Sequence, residues 1–252
     1  MEIAASLTIQ ALPMCYRFRS MNLFGHLIPL LGLLQVVHAE RPRPLQVDDL
    51  FQFQRVSDPQ ISPDGKWVVY GVGQVSMTDN KVVSHLWMAA VDGGTPPRRL
   101  TNADKTDSHP RWSPDGRWIL FESSRSGTSQ LWVIPVTGGE ASKLTEVATG
   151  AGTGTWSPDG RAIAFVSAVY PEHSSKPFAE SNRLNKERLD AVAANPVKAR
   201  VYQRLFFRHW DSYVEDKRQH LFVADFDPVT GSLAEPRDVT PGDRDAYPTS
   251  TT

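Results

Sequence analysis

The sequence predicts an all-β fold, a partial β-propeller of three four-stranded blade-like repeats, and three observations predict it. The tetrapeptide Ser-Pro-Asp-Gly occurs at 62–65, 113–116 and 157–160. A basic residue and then an apolar run follow each copy, as in Lys66-Trp67-Val68-Val69-Tyr70, Arg117-Trp118-Ile119-Leu120-Phe121 and Arg161-Ala162-Ile163-Ala164-Phe165. Pro63, Pro114 and Pro158 stand 51 and 44 residues apart, close to the roughly 40–50 residues of a four-stranded propeller blade. A two-sheet sandwich would also be all-β, but it does not repeat its turn chemistry at a fixed period.

The N-terminus reads as a signal peptide and leader over 1–39. Leu23 to Val37 is apolar, Arg17 and Arg19 precede it, and Val37-His38-Ala39 places small residues for cleavage after Ala39. Gly25, His26 and Pro29 break the apolar core, so it makes a poor membrane span. An uncleaved anchor is the alternative. Met1 or Met14 is the preferred start, since a start at Met21 discards both arginines. The single cysteine, Cys15, lies before the cleavage point. The mature chain then holds neither a disulfide nor a thiolate metal site.

Residues 40–55 form a Pro/Arg leader and a linker or short helix around Val47–Arg55. An incomplete propeller over 56–252 follows, with blades at about 56–101, 109–145 and 155–240. In each, proline fixes φ at the first central turn position, aspartate takes the second, and glycine takes the left-handed position after it. The turn joins two antiparallel strands. Leu86-Trp87-Met88, Leu131-Trp132-Val133 and Leu221-Phe222-Val223 mark the third strand. A glycine turn follows, at Asp92-Gly93-Gly94, Thr137-Gly138-Gly139 and Val229-Thr230-Gly231. Arg99-Leu100-Thr101, Lys143-Leu144-Thr145 and Asp238-Val239-Thr240 close each unit.

The third unit is interrupted by a part-helical insertion at about 168–219. Its start is loop-like, with Pro171 and Pro177. Glu180 to Ala194 has helical character, with Leu184, Leu189 and Val192 as a narrow apolar stripe, and Asn195-Pro196 ends it. Insertions from a blade tend to emerge on its working face.

Charged residues make up 22% and the formal net charge is −1, which gives no basis for binding nucleic acid or an anionic membrane. His85, His109 and His173 show no metal-ligand spacing. Neither a metal nor a cofactor is expected. The Trp and Phe residues read as blade core, not as a carbohydrate-binding stripe. Gly150-Ala151-Gly152-Thr153-Gly154 is followed by neither a lysine nor a helix pattern, so it reads as an inter-blade loop and not a phosphate cradle. Ser62, Ser113 and Ser157 read as turn formers, not nucleophiles.

The repeats, together with Arg204-Leu205-Phe206-Phe207-Arg208-His209-Trp210-Asp211 and His220-Leu221-Phe222-Val223, resemble the N-terminal propeller of the prolyl oligopeptidase family of serine peptidases. The resemblance is to the acylaminoacyl-peptidase and dipeptidyl-peptidase-five-like group, and it spans nearly all of the mature chain. It implies a propeller that gates short peptides toward a C-terminal α/β-hydrolase domain in cis, which carries a Ser-Asp-His triad. This chain holds no Gly-x-Ser-x-Gly elbow, so no catalytic residue is assigned to it. Three units are fewer than the roughly four to eight blades of a closed ring. Asp245-Ala246-Tyr247-Pro248 echoes Asp107-Ser108-His109-Pro110, and the expectation is a fragment that stops as a further blade begins. The parent would be exported, to the periplasm or beyond the cell, with no stable span after cleavage. A Tol-type periplasmic binding propeller without enzymatic activity is the alternative. Such proteins place an α/β domain ahead of the propeller, for which the stretch between Ala39 and Ser62 leaves no room.

Arg208, His209, Trp210, Asp211 and Glu215 form the densest mixed polar and aromatic cluster. A carboxylate there could hold a peptide amino terminus, and Trp210 could line its pocket. The competing reading is that the cluster buttresses the insertion against a blade.

Overall fold

The same hydrogen-bonded knot ties all three Ser-Pro-Asp-Gly turns in the computed structural model. The serine hydroxyl donates to the aspartate Oδ1 at 2.6 Å (Ser62–Asp64), 2.6 Å (Ser113–Asp115) and 2.5 Å (Ser157–Asp159). The same serine oxygen accepts the backbone N–H of Trp67, Trp118 and Ala162, each at 2.9 Å. The aspartate also accepts the N–H of Lys66, Arg117 or Arg161. Gly65, Gly116 and Gly160 have φ of 71°, 70° and 69°, a region open to glycine at no steric cost.

The structure describes residues 43–197, 199, 202, 208, 209, 212, 213 and 216–246. The expected signal peptide, with Cys15, lies outside them. Leu45–Thr252 forms one unit. A short 3₁₀ turn at Val47–Phe51 opens it, fastened by the Gln46 N–H donating to Asp49 Oδ2 at 2.8 Å.

Three antiparallel sheets follow. The first is β1 (Arg55–Ile61), β2 (Trp67–Ser76), β3 (Lys81–Ala90) and β4 (Arg98–Arg99), paired in chain order. The second repeats the meander with β5 (Asp107–Trp112), β6 (Trp118–Ser123), β7 (Gln130–Pro135) and β8 (Ser142–Lys143). The third is β9 (Gly152–Trp156), β10 (Ala162–Val169), β13 (Arg218–Asp227) and β15 (Arg237–Asp238), with β14 (Ser232–Leu233) pairing the far end of β13. Between β10 and β13 the chain makes helix α1 (Phe178–Ala194) and a small ladder of β11 (Arg208–His209) with β12 (Ser212–Tyr213).

The strand period of two explains the cores. On β6, Ile119 and Phe121 face the first sheet and join Val69, Leu86 and Ile134. Leu120, between them, faces the third sheet and joins Leu131, Val133, Ile163, Phe165, Phe222 and Phe226. A strand buried on both faces reads as an unbroken apolar run, as Trp118 to Phe121 does. Each such side chain contributes about 1.5–3 kcal/mol on burial.

The closing threonines bind in a repeated way as well. Thr101, Thr145 and Thr240 accept the N–H of Leu86, Leu131 and Leu221 through Oγ1, at 3.0, 2.9 and 2.9 Å. Between sheets, Trp112 Nε1 donates to the Gln60 carbonyl at 3.0 Å and Trp156 Nε1 to the Arg111 carbonyl at 3.1 Å. The turns also stack. A Cβ on Gly160 would sit 3.4 Å from Pro114 Cδ, and one on Gly116 would sit 3.9 Å from Pro63 Cδ.

Helix α1 starts two residues earlier than the sequence suggested, after Pro177, and Asn195 ends it. Proline at 196 disfavours a helical conformation for the residue before it. Of the expected apolar stripe, Leu184 and Leu189 are half-buried and Val192 is 55% exposed. Phe178 packs edge-on to Phe222 at the helix start, and two asparagines fasten the helix further. Asn185, 2% exposed, accepts the Tyr170 N–H at 2.8 Å, and Asn182 accepts the Ala148 N–H at 2.7 Å and donates to the Glu146 carbonyl at 3.0 Å. The outer face carries the pairs Arg183–Glu187 and Lys186–Asp190, each worth about 0.3–0.5 kcal/mol. Among the described residues no helix is long and apolar enough to cross a membrane.

Candidate functional site

The innermost strands β1, β5 and β9 share a feature that the sequence did not announce. Each slips register against its neighbour, and each holds one non-glycine residue in the left-handed region: Asp58 (φ 46°), His109 (φ 57°) and Thr153 (φ 54°). All three stand four residues before the serine of the turn. Such a backbone costs about 1–2 kcal/mol per residue, and observed strain of this kind is a pointer to a working surface. No residue type recurs at that position, so aligning the repeats shows no signal for it. Glycine, the usual marker, is absent there.

These bulges gather charge. Arg111 Nη1 donates to both Asp58 oxygens, at 3.0 and 2.8 Å, and Gln60 Nε2 donates to Asp58 Oδ1 at 2.7 Å. Burial opposes ionisation of Asp58, yet the bonds from Arg111 and Gln60 and the guanidinium charge hold its carboxyl below the usual range. Arg111 Nη2 lies 3.1 Å from His109 Nδ1. The same His109 Nδ1 lies 3.5 Å from Asp58 Oδ2. On the next sheet Glu122 Oε1 accepts the Thr153 N–H at 2.6 Å. The inner strands therefore present a carboxylate–guanidinium pair and an imidazole, with a second carboxylate, Glu122, reaching them from β6. That set can hold charged or hydrogen-bonding groups of a ligand but contains no nucleophile.

A second row lies deeper, immediately before each Leu of the third-strand signature. Gln130 donates to the Val147 carbonyl at 2.8 Å and accepts from Thr145 Oγ1 at 2.8 Å. His220 is fully buried, with Nδ1 2.7 Å from Asp238 Oδ2 and Nε2 2.9 Å from the Gly242 carbonyl. Both side chains clip the segment leading out of their sheet. His85 occupies the same place in the first sheet but sits 3.8 Å from Asp107 Oδ2, while Arg125 pairs with Asp107 Oδ1 at 2.7 Å. Burial, followed by the neighbouring Arg99, lowers the tendency of His85 to protonate.

The sequence-derived candidates fare unevenly. Backbone pairing joins Arg208 to Tyr213 and His209 to Ser212, and Tyr213 stacks on Tyr202 at 5.9 Å. Trp210, Asp211 and Glu215 lie outside the described residues. The three turn serines spend their hydroxyls on the turn itself. Gly150 lies in a loop, but Gly152 to Gly154 belongs to strand β9, against the inter-blade-loop expectation. The reason is close packing: a Cβ on Gly154 would meet Leu131 Cδ2 at 2.9 Å. Among the described residues no group of three His, Cys, Asp or Glu could hold a metal ion.

Comparison with known proteins adds three findings. Residues 49–185 match the family model described as TolB beta propeller domain, PD40. Over 183 residues the chain is 29% identical to dipeptidyl-peptidase 5 of Porphyromonas endodontalis, covering 72% of this chain and 24% of that one. Over 108 residues it is 39% identical to the uncharacterized peptidase YuxL of Bacillus subtilis, covering 42% and 16%. The chain spans about a quarter or less of the length of these relatives. In fold, it superposes on the Pyrococcus horikoshii acylaminoacyl peptidase with a TM-score of 0.50 at 18% identity, over 75% of this chain and 26% of that one.

Proposed function

For a chain that belongs to the TolB beta propeller domain family, we propose the role of the non-catalytic propeller of an exported serine peptidase. It orients and gates short peptides for an α/β-hydrolase domain that supplies the nucleophile, base and oxyanion hole. One observation carries the reading. The likeness to dipeptidyl-peptidase 5 runs over 183 residues, whereas the propeller family model matches only 49–185. The likeness therefore includes residues beyond the shared propeller model. The charged inner-strand bulges at Asp58, Arg111 and His109, with Glu122 of β6 beside them, suit a surface that peptide ends pass over. The segment holding Arg208, His209, Trp210, Asp211 and Glu215 would form a second substrate-facing edge.

The test is activity-based labelling. An antibody raised against residues 45–185 precipitates the native protein from its source cells, and a serine-directed fluorophosphonate is applied to the precipitate. The expected result is a labelled species and hydrolysis of fluorogenic dipeptides. An unlabelled precipitate rich in an envelope lipoprotein would reject this reading in favour of a Tol-type binding propeller, which the family description itself keeps in view.

A further inference from the structure

The sequence holds four Asp-Gly pairs: Asp64-Gly65, Asp92-Gly93, Asp115-Gly116 and Asp159-Gly160. Such a pair can rearrange covalently. The glycine nitrogen attacks the side-chain carboxyl carbon, Cγ, of the aspartic acid before it. A C–N bond forms, the C–OH bond breaks, and the amide proton leaves with the hydroxyl as water. The product is a cyclic imide. Water then opens the ring at either carbonyl and gives back aspartate or gives isoaspartate, in which the main chain runs through the side-chain carboxyl. One water is released and one is consumed, so no oxidant or other reactant is required. The first step makes two demands. The carboxyl must take up a proton, because a bare carboxylate has no leaving group, and the side chain must swing its Cγ onto the next nitrogen.

Three of the four pairs lie in the Ser-Pro-Asp-Gly knots, which refuse both demands. Asp64, Asp115 and Asp159 are gripped by the serine hydroxyl and by the N–H two residues on. Arg117 Nε adds a bond to Asp115 Oδ2 at 2.6 Å. The N–H of Gly65, Gly116 and Gly160 is spent on the serine carbonyl, at 2.9 Å in each turn. Swinging Cγ onto that nitrogen breaks these bonds, and bonds to a charged carboxylate are the stronger kind. The bonds from Ser62 and the Lys66 N–H also keep Asp64 ionised below the usual carboxylate range, as those from Ser157 and the Arg161 N–H do for Asp159.

Asp92 is held differently. It lies in the hairpin between β3 and β4, where residues 91–97 are all exposed. No serine hydroxyl grips it. Among the described residues its carboxyl takes one bond, Oδ1 accepting the Gly94 N–H at 2.9 Å. The Gly93 N–H makes a longer bond than its counterparts, 3.2 Å to the Ala90 carbonyl. Gly93 has φ 69°, with open space where a Cβ would go. Gly94 follows it, and two adjacent glycines leave the backbone free to turn the nitrogen toward Cγ.

We propose that Asp92-Gly93 is a site of covalent modification, where the folded protein converts aspartate to isoaspartate while its three Ser-Pro-Asp-Gly turns stay protected. The change adds one carbon to the main chain of the hairpin. The β4 pairings, Trp87 with Arg99 and Met88 with Arg98, lie beyond the exposed loop, which takes up the added length. It also leaves a new α-carboxylate at the surface. A methyltransferase that recognises isoaspartate would find its substrate there, the carboxylate oxygen taking a methyl group from a sulfonium donor that departs as a thioether.

Ageing the purified full chain in neutral buffer, with and without urea, tests this. Peptide mapping by mass spectrometry with electron-transfer fragmentation tells isoaspartate from aspartate at each pair. In buffer, isoaspartate accumulates at Asp92 at the rate found in urea. Asp64, Asp115 and Asp159 each react about tenfold more slowly than in urea, a barrier higher by about 1.4 kcal/mol. Gly93→Ala slows position 92 in both solvents, because its methyl group hinders the attack. Ser62→Ala takes the hydroxyl from the first knot, brings Asp64 toward its urea rate and leaves Asp92 unchanged. Should Ser62→Ala unfold, Gly93→Ala and the comparison of solvents still decide. An Asp92 slowed in buffer as much as the other three, or four pairs that age alike in both solvents, overturns the proposal. Neither result bears on the fluorophosphonate experiment, so the two readings fail separately.

Discussion

The indole Nε1–H of Trp156 reaches across a sheet boundary to the main-chain carbonyl of Arg111, 3.1 Å away. The carbonyl belongs to the inner strand whose side chains hold Asp58 and His109. The bond therefore ties the third sheet to the backbone that shapes the charged bulges, and Trp112 repeats it on Gln60.

Replacing Trp156 by Phe keeps an aromatic ring against Phe226, whose centroid lies 4.7 Å from that of Trp156, but removes the bond from the indole to the Arg111 carbonyl, which keeps its ladder pairing with Leu120. The loss is about 0.5–1.5 kcal/mol, read as a lower urea midpoint at unchanged slope. Trp112→Phe is expected to lose a similar amount. Midpoints equal to that of the parent would show that neither bond contributes to stability.

Acid weakens the turns. The Ser62 hydroxyl and the Lys66 N–H hold the Asp64 carboxyl below its ordinary range, and Ser157 and the Arg161 N–H do the same for Asp159. At Asp115 partial burial opposes this, but the bonds from Ser113 and Arg117 prevail. A carboxylate whose folded value is depressed adds stability that is present above its unfolded value, near pH ~4, and lost as pH falls through the folded value. Melting temperatures should therefore fall below about pH 4. The triple variant Asp64→Asn, Asp115→Asn, Asp159→Asn should show a shallower fall, as followed by circular dichroism from pH ~5 to ~2.

Two glycines with positive φ separate backbone cost from contact cost. Gly138 has φ 103° and open space where a Cβ would go, whereas a Cβ on Gly231 (φ 68°) would stand 2.7 Å from Trp118 Cη2. Gly138→Ala should cost about 1 kcal/mol from the left-handed backbone alone. Gly231→Ala should cost distinctly more, because the Trp118 ring also packs edge-on to Phe226. Equal costs by chemical denaturation would mean that the ring moves aside freely.

The proposed role of the segment around Trp210 is tested in a full-length protein that carries this chain together with the hydrolase domain proposed for it. If it faces substrate, Trp210→Ala and Glu215→Gln raise KM while melting temperature holds. If both variants instead melt several degrees lower at unchanged kinetics, the segment is a buttress for the insertion.

What the sequence disclosed follows the range of each interaction. The Ser-Pro-Asp-Gly turns are local, so their residues name the geometry outright, down to the glycine φ. Contacts between sheets are not local. Nothing in Trp112 or Trp156 says that the indole N–H ends on a neighbouring carbonyl. The left-handed Asp58, His109 and Thr153 share no residue type, and a β-branched threonine argues against that conformation. Helix α1 was legible from its helix formers and its Asn-Pro stop. Its polar anchors were not, because Asn185 and Asn182 carry no apolar periodicity. The inner-strand charges were missed for the same reason: Asp58 and Arg111 lie 53 positions apart and meet only once the sheets stack.

The outermost strands β4, β8 and β15 are two residues long. Just past each, a threonine hydroxyl takes up the next N–H of the strand inside it. An outermost strand of only two residues gives a stray strand little length on which to zip, one of the ways native sheets blunt an edge. Whatever recognises this rim must then do so through side chains, the kind of contact that selection can change one residue at a time.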